Sequence, residues 1–155
     1  MSPIPDSIER EVLIEAPVDV VWGVVTEPAK IVQWFMDLAE IDLQPGGDGL
    51  FGMKDMRFPI VVQDVEAPTR FAFRWVHPEG EAPRAGNSTL VEFLLHAEGD
   101  ATRLRVVESG LAEIAWTDAE KEKFLGEHER GWSEHLGDLV VYVAGRSETA
   151  ASAAR

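Results

Sequence analysis

The sequence predicts an α+β fold in which a curved antiparallel sheet wraps around a long C-terminal helix. Three features lead to this prediction: one strand with two short helices at the start, a run of about six strands in the middle, and one long amphipathic helix at the end. A twisted sheet with one apolar face needs a covering layer, and the long helix is the only large element available to supply it. Where the sheet curves around the helix the two do not touch everywhere, so we expect an apolar cavity between them.

Composition is that of a single globular domain. The chain has 155 residues, 45% of them apolar, which is enough to bury one core. No stretch approaches eighteen consecutive apolar residues, so no membrane insertion is expected, and no secretion signal is expected at the N-terminus, which has neither a basic region nor an apolar segment. There are no cysteines, which excludes disulfides and thiol catalysis and fits a cytoplasmic protein. We expect one domain over residues 1–146 and a disordered, Ala- and Ser-rich tail over residues 147–155.

The charge balance is strongly acidic. The chain has 28 Asp and Glu against 14 Lys and Arg, a net charge of −14. A field of this sign repels phosphate backbones and anionic lipid headgroups, so nucleic acid and membrane surfaces are poor partners. Solubility is the simplest role for the charge.

Alternation of apolar and polar residues predicts the strands. Apolar and polar residues alternate from Ser7 to Glu15, which predicts the first strand, with one face exposed to solvent. Pro17 opens a helix that ends at Thr26, because the residue before Pro28 is pushed out of the helical region. A second short helix follows, from Pro28 to Trp34. The other strands are expected over 38–43, 50–54, 58–66, 70–76, 88–97 and 102–109, with turns over 44–49 and 98–100 and a long loop over 77–87. Their tight connections imply an antiparallel meander.

The C-terminal helix has a clear start and a clear apolar stripe. Thr117 or Asp118 is the expected N-cap. An apolar stripe at helical spacing follows: Leu125, Trp132, Leu136, Leu139 and Val143. Gly145 is the expected end, and Gly131 beside Trp132 would allow another backbone to approach closely.

Several short segments resemble a known family. They are Ile14-Glu15-Ala16-Pro17 with Val20, Val21 and Trp22; Thr26-Glu27-Pro28 followed by Gln33-Trp34-Phe35; the Gly46-Gly47 turn; Phe71-Ala72-Phe73-Arg74-Trp75; Thr102-Arg103-Leu104 through Glu108-Ser109-Gly110; and Gly131-Trp132 with Leu136. In this order and spacing the sequence resembles the family named for activators of heat-shock protein 90 ATPase, within the SRPBCC (START-like, Bet v 1-like) superfamily. The resemblance implies a helix-grip fold. It also implies relatives that bind lipids, polyketides or other apolar ligands, some of them cyclases, and includes many single-domain bacterial proteins.

Glu108 is the candidate for chemistry. Counting alternation from Leu104 and Val106 places its side chain on the cavity face of its strand. A carboxylate there would lose hydration and could accept a proton or orient a ligand hydroxyl. The alternative is a structural role at the strand end, where Glu108 would reach water or pair with Arg74 or Arg105.

Two histidines lie on one face of the C-terminal helix. His128 and His135 are seven residues apart, and either is a candidate partner for Glu108. Two histidines without further ligands do not make a zinc site, so neither a metal nor another cofactor is expected.

Aromatic and Met side chains are the candidates for lining the cavity. Each of them is individually more typical of plain core. The predicted ligand-binding residues are Trp34, Phe35, Met53, Phe73, Trp75, Phe93, Val106, Glu108, His128 and Trp132.

Three functions fit these observations. The first is binding of a small apolar or amphipathic molecule, such as a lipid, a polyketide or an aromatic compound, in the cavity between sheet and helix. The second is a cyclase- or hydrolase-type enzyme that uses Glu108. The third is a co-chaperone-like module that binds a protein through its acidic surface, and an exposed edge strand would also permit a homodimer.

Overall fold

The structure is a computed structural model that describes residues 5–75 and 83–153, with side chains described up to residue 145. Seven strands and three α-helices follow one another in the predicted order. They are β1 (Ile8–Ile14), α1 (Val18–Thr26), α2 (Pro28–Ile31), β2 (Leu38–Ile41), β3 (Asp48–Met53), β4 (Met56–Glu66), β5 (Arg70–Trp75), β6 (Thr89–Glu98), β7 (Ala101–Ser109) and α3 (Asp118–Ala153), with a 3₁₀ turn at Leu111–Glu113.

All seven strands belong to one antiparallel sheet. Its order is β1-β7-β6-β5-β4-β3-β2, so β2 to β7 form the predicted meander. The N-terminal strand β1 closes the sheet beside β7, with Val12 opposite Leu104. The two sheet edges are therefore β1 and the four-residue strand β2.

Helix α3 covers the apolar face of the sheet as predicted. The backbone N–H of Glu120 donates to Oγ1 of Thr117 at 3.2 Å, so Thr117 caps the first turn. All five residues of the predicted stripe are buried. The helix does not end at Gly145, and that prediction is wrong: it continues to Ala153. Disorder of residues 147–155 stays a prediction.

Other boundaries differ by a few residues. Helix α2 ends at Ile31, and a turn carries the chain on to Phe35. Strand β3 already begins at Asp48, inside the predicted turn. Of the predicted loop over 77–87, residues 77–82 lie outside the described residues. Within the described ranges, no helix is long and apolar enough to cross a membrane.

Aromatic rings fill much of the space between sheet and helix. Phe51, Phe71, Phe73 and Phe93 are fully buried and point inward from three strands, β3, β5 and β6. Trp132 of α3 meets the edge of Phe93 at a ring-centroid distance of 5.9 Å. Side chains therefore fill much of the predicted space between the sheet and α3 with close packing.

Candidate functional site

Glu108 is the most buried charged residue of the described chain, at 2% exposure. Its Oε2 accepts hydrogen bonds from the indole N–H of Trp75 at 2.8 Å and from the hydroxyl of Thr89 at 2.6 Å. Its Oε1 accepts from the indole N–H of Trp132 at 2.9 Å and lies 2.7 Å from Nδ1 of His128. Each oxygen therefore has two partners, so the charge is buried with its hydrogen bonds satisfied.

Three strands and one helix bring these partners together. In the sheet Trp75 of β5 is opposite Thr89 of β6, and Glu108 of β7 is opposite Val91, two residues farther along β6. Residues two apart share a face, so Thr89 and Glu108 are diagonal neighbours on the inner face. His128 and Trp132 are four apart on α3, one turn of helix, and both reach the carboxylate from the opposite layer.

The hydrogen bonds determine the ionisation of Glu108. Burial alone would raise the pKa of its carboxyl, but the hydrogen bond and charge of His128, supported by Thr89 and Trp132, outweigh burial and hold that pKa below its ordinary value. Glu108 is thus a carboxylate at neutral pH. Because a carboxylate has no proton to donate, Nδ1 of His128 must carry the proton that they share.

The ring of His128 is held on several sides. It stacks on Phe124 with ring centroids 3.7 Å apart and meets the edge of Trp75 at 5.9 Å. Its side chain is 21% exposed, and among the described residues no group hydrogen-bonds to its second nitrogen, Nε2. With Nδ1–H fixed by Glu108, the Nε2 of a neutral ring presents a lone pair on the side opposite Glu108.

A cleft of about 210 Å³ lies against this ring. Its wall is largely aromatic, and its polar groups come from α3. The lining residues are Phe35, Trp75, Glu127, His128, Gly131, Trp132 and His135. Gly131 contributes space, because a Cβ added there would meet nothing within 4 Å. The close backbone approach predicted at Gly131 is therefore wrong.

A second pocket adjoins the first through Glu127, which lines both. It encloses about 260 Å³ between the helix start and the segment before it, and its other lining residues are Trp116, Glu120, Lys123 and Phe124. Trp116 and Phe124 are in ring contact at 5.4 Å. The stacked rings of Phe124 and His128 therefore lie between the two spaces.

His135 brings a second imidazole to the cleft. Burial lowers the pKa of His135, and the backbone of Trp34 offsets this effect only in part, so the ring is neutral at neutral pH. Its Nδ1 is buried and has no hydrogen-bond partner among the described residues. An orphaned ring nitrogen at a cleft wall is a polar feature that apolar packing alone does not require.

Four of the ten predicted ligand-binding residues line the cleft: Phe35, Trp75, His128 and Trp132. Glu108 lies beneath His128, where its oxygens are occupied. The remaining five belong to the core or its margin and are Trp34, Met53, Phe73, Phe93 and Val106. Trp34 has a structural bond, since its indole N–H donates to the carbonyl of Val24 at 2.9 Å. Ligand binding by any of the ten stays a prediction.

Sequence reasoning missed Thr89 and the lining role of Glu127. Thr89 lies two and four residues before the inward-facing Val91 and Phe93, so alternation along β6 could have placed its side chain on the inner face. The sequence gives no indication that Glu127 lines a cleft, because a glutamate beside a histidine on a helix is typical of a solvated face. Arg74 and Arg105, the alternative partners of Glu108, instead bond to Gln63 and Glu9.

Comparisons with known proteins cover nearly the whole chain. The family model described as Activator of Hsp90 ATPase homolog 1-like protein matches residues 15–144. The crystal structure of CalU16 from Micromonospora echinospora is similar at 30% identity and a TM-score of 0.68, covering 90% of this chain and 74% of that one. DynU16, from the dynemicin biosynthetic locus, is similar at 28% identity and a TM-score of 0.73 over 90% of this chain. The present chain spans about half of DynU16, 48% of its length.

More distant structures share the fold alone. The solution structure of the Aha1 dimer from Colwellia psychrerythraea is 17% identical, with a TM-score of 0.68 over 86% of this chain and 92% of that one. No curated protein is significantly similar in the corresponding comparison. Together with the sheet order, these likenesses confirm the predicted helix-grip fold. A homodimer of this chain stays a prediction.

Proposed function

Because this chain belongs to the activator of Hsp90 ATPase homolog 1-like family, with its helix-grip fold, we propose that it binds a small ring-bearing molecule in the cleft beside His128. The observation that carries this proposal is the pairing of an aromatic wall with an imidazole whose inner nitrogen is fixed by a buried carboxylate. A ligand is held by both: its ring packs on Trp75, Trp132 and Phe35, and its hydroxyl donates a hydrogen bond to Nε2.

The size of the cleft limits the ligand. Pockets for drug-sized molecules enclose roughly 300–1,000 Å³, whereas this cleft encloses about 210 Å³. A compound of one or two rings fits that volume better than a long acyl chain does. An amphipathic ligand that is longer would extend past Phe124 toward Trp116, into the adjoining pocket. Among the predicted ligand classes, aromatic compounds are therefore favoured over lipids.

Binding to this cleft is tested with a pair of helix glycines. Gly131 lines the cleft, whereas Gly137 lies on the exposed side of the same helix, and a Cβ at either position meets nothing within 4 Å. Gly131→Leu should fill the cleft, and Gly137→Leu should leave it open. Phenol, 2-naphthol and palmitate are titrated into each protein by isothermal titration calorimetry.

We expect 2-naphthol to bind the natural protein and Gly137→Leu alike, and to lose at least about tenfold in affinity with Gly131→Leu, a difference of about 1.4 kcal/mol. Palmitate should bind more weakly than 2-naphthol. Equal affinity of both leucine variants would place the ligand elsewhere and refute binding in this cleft. Failure of every ring compound to bind the natural protein would refute the ligand class.

A further inference from the structure

The geometry of the cleft assigns a chemical step to His128, in addition to the binding on which this inference rests. We propose that Nε2 of His128 is a general base that removes a proton from a small carbon acid held in the cleft. Glu108 is then a positioning residue that acts through His128. The substrate class is a one- or two-ring compound with a C–H bond acidified by a neighbouring carbonyl or imine-type group.

The first part of the case is the tautomer. A neutral imidazole is a base only at the nitrogen that lacks a proton, so whether His128 can deprotonate a ligand in the cleft depends on which nitrogen that is. Glu108 holds the proton on Nδ1 at 2.7 Å, and the indole N–H groups of Trp75 and Trp132 keep both carboxylate oxygens in place. Nε2 is thereby the basic atom in the resting state.

The second part is charge. When Nε2 takes a proton the ring becomes an imidazolium, and its positive charge forms within 2.7 Å of the Glu108 carboxylate. That negative charge is already present and already desolvated, so little reorganisation accompanies the proton transfer. A carboxylate with this arrangement orients and stabilises the imidazolium without itself taking the proton.

The third part is access. Glu108 has no free lone pair for a substrate, because four donors surround it and its side chain is 1% exposed. His128 is partly exposed, at 21% of its side chain, and belongs to the cleft wall, and stacking on Phe124 restricts rotation of its ring. The base that meets a substrate is therefore His128, which differs from the predicted enzyme that used Glu108 directly.

The step balances without a cofactor, as the probe 5-nitrobenzisoxazole illustrates. Nε2 takes the proton from the C–H carbon of the isoxazole ring, and the electron pair of that C–H bond completes a nitrile. The ring N–O bond breaks and its electron pair leaves on oxygen as a coloured phenolate. The imidazolium then returns its proton to water, which restores the neutral ring. The two-ring size of this probe suits the cleft.

The test follows phenolate absorbance with the full-length chain and, in parallel, probe binding by competition with 2-naphthol. We expect saturable turnover that exceeds the rate given by the same concentration of 4-methylimidazole. His128→Gln, which keeps an N–H donor for Glu108, should lower kcat by about a hundredfold, near the lower end of the range for general bases. Gly131→Leu should abolish saturation, and Gly137→Leu should leave turnover unchanged.

The role of Glu108 is separated from stability by its kinetic signature. Glu108→Gln should lower kcat by at least about tenfold with KM unchanged, and should move the rising limb of the pH–rate profile to lower pH. A merely structural role would change the fraction of folded protein without moving that profile.

Three outcomes would overturn the inference, and they differ in what they say of binding. If the probe competes with 2-naphthol but turns over equally in the natural protein and His128→Gln, the base is refuted and binding stands. If the probe binds nowhere while 2-naphthol binds the cleft, the substrate class is refuted. If neither compound binds, the proposed function fails as well.

Discussion

Glu108 shows how a buried charge is made tolerable by the groups around it. Two indoles, one hydroxyl and one imidazole supply four hydrogen bonds of 2.6–2.9 Å to its two oxygens. Trp75 and Trp132 can only donate, so their N–H groups suit a carboxylate and conflict with any group that also donates. The site is therefore built for an acceptor with two equivalent oxygens.

Glu108→Gln should lower the free energy of unfolding at pH 7 by about 1–3 kcal/mol, because its amide nitrogen faces a donor and leaves one buried N–H or O–H unpaired. The folded-state pKa of Glu108 is lowered, so its contribution is fully present above the unfolded-state value of about 4.3 and is lost as pH falls through the folded-state pKa. The difference between natural protein and variant should accordingly shrink below about pH 4. Urea unfolding at a series of pH values measures both effects.

The control for this prediction is an exposed carboxylate. Glu15 is exposed on the segment after β1, and Glu15→Gln should change the free energy of unfolding by less than about 0.5 kcal/mol. A constant difference between Glu108→Gln and the natural protein down to pH 3 would show that the carboxylate does not titrate in the lowered range.

The alternation of apolar and polar residues predicted the face of β7 on which the Glu108 side chain lies, but not its hydrogen-bond partners. Parity with Leu104 and Val106 was sufficient to place it on the inner face. Its partner Trp75 is 33 residues away along the chain, and their meeting depends on the registers of β5, β6 and β7. A register is not readable from one sequence when several strands share the same alternation, so the full set of partners required the structure.

At the scale of the element, α3 departs from its predicted end for a reason visible within it. An isolated glycine costs a helix only about 1 kcal/mol relative to alanine, and Gly126, Gly131 and Gly137 all lie inside α3. Gly145 is a fourth glycine within the helix, and like the other three it does not end the helix. The N-cap at Thr117 was predictable because a cap is a specific hydrogen bond, whereas glycine within a helix is only a cost.

The helix glycines give a prediction about stability and function together. Gly131→Ala and Gly137→Ala should each raise the free energy of unfolding by about 1 kcal/mol, because neither added methyl meets an atom within 4 Å. Chemical denaturation of both variants measures this gain.

If Gly131 is present to leave room in the cleft, Gly131→Ala should also weaken 2-naphthol binding slightly, and Gly137→Ala should not. A loss of stability in Gly131→Ala alone would instead mean that the helix needs glycine there for its own conformation.

At the scale of the whole molecule, acidic side chains far outnumber the basic side chains that could pair with them. With 28 acidic and 14 basic residues, at least half of the carboxylates lack a cation of their own. Exposed pairs such as Arg105–Glu9 at 2.6 Å and Arg103–Glu98 at 2.8 Å add little to stability, because water and salt screen them. Self-repulsion of the remaining negative charge opposes the compact state.

Salt should therefore stabilise the protein at neutral pH. Raising NaCl from about 0.01 M to about 0.5 M shortens the screening length from about 30 Å to a few ångströms, which weakens long-range repulsion more than it weakens contact pairs. We expect the Tm at pH 7 to rise by about 2–4 °C, equivalent to about 1 kcal/mol for a domain of this size. Near the sequence pI of about 4.6 the net charge is close to zero, so the same salt step should give little rise or a fall. Thermal unfolding at both pH values measures the contrast, and a fall in Tm at pH 7 would mean that the contact pairs contribute more than the excess charge costs.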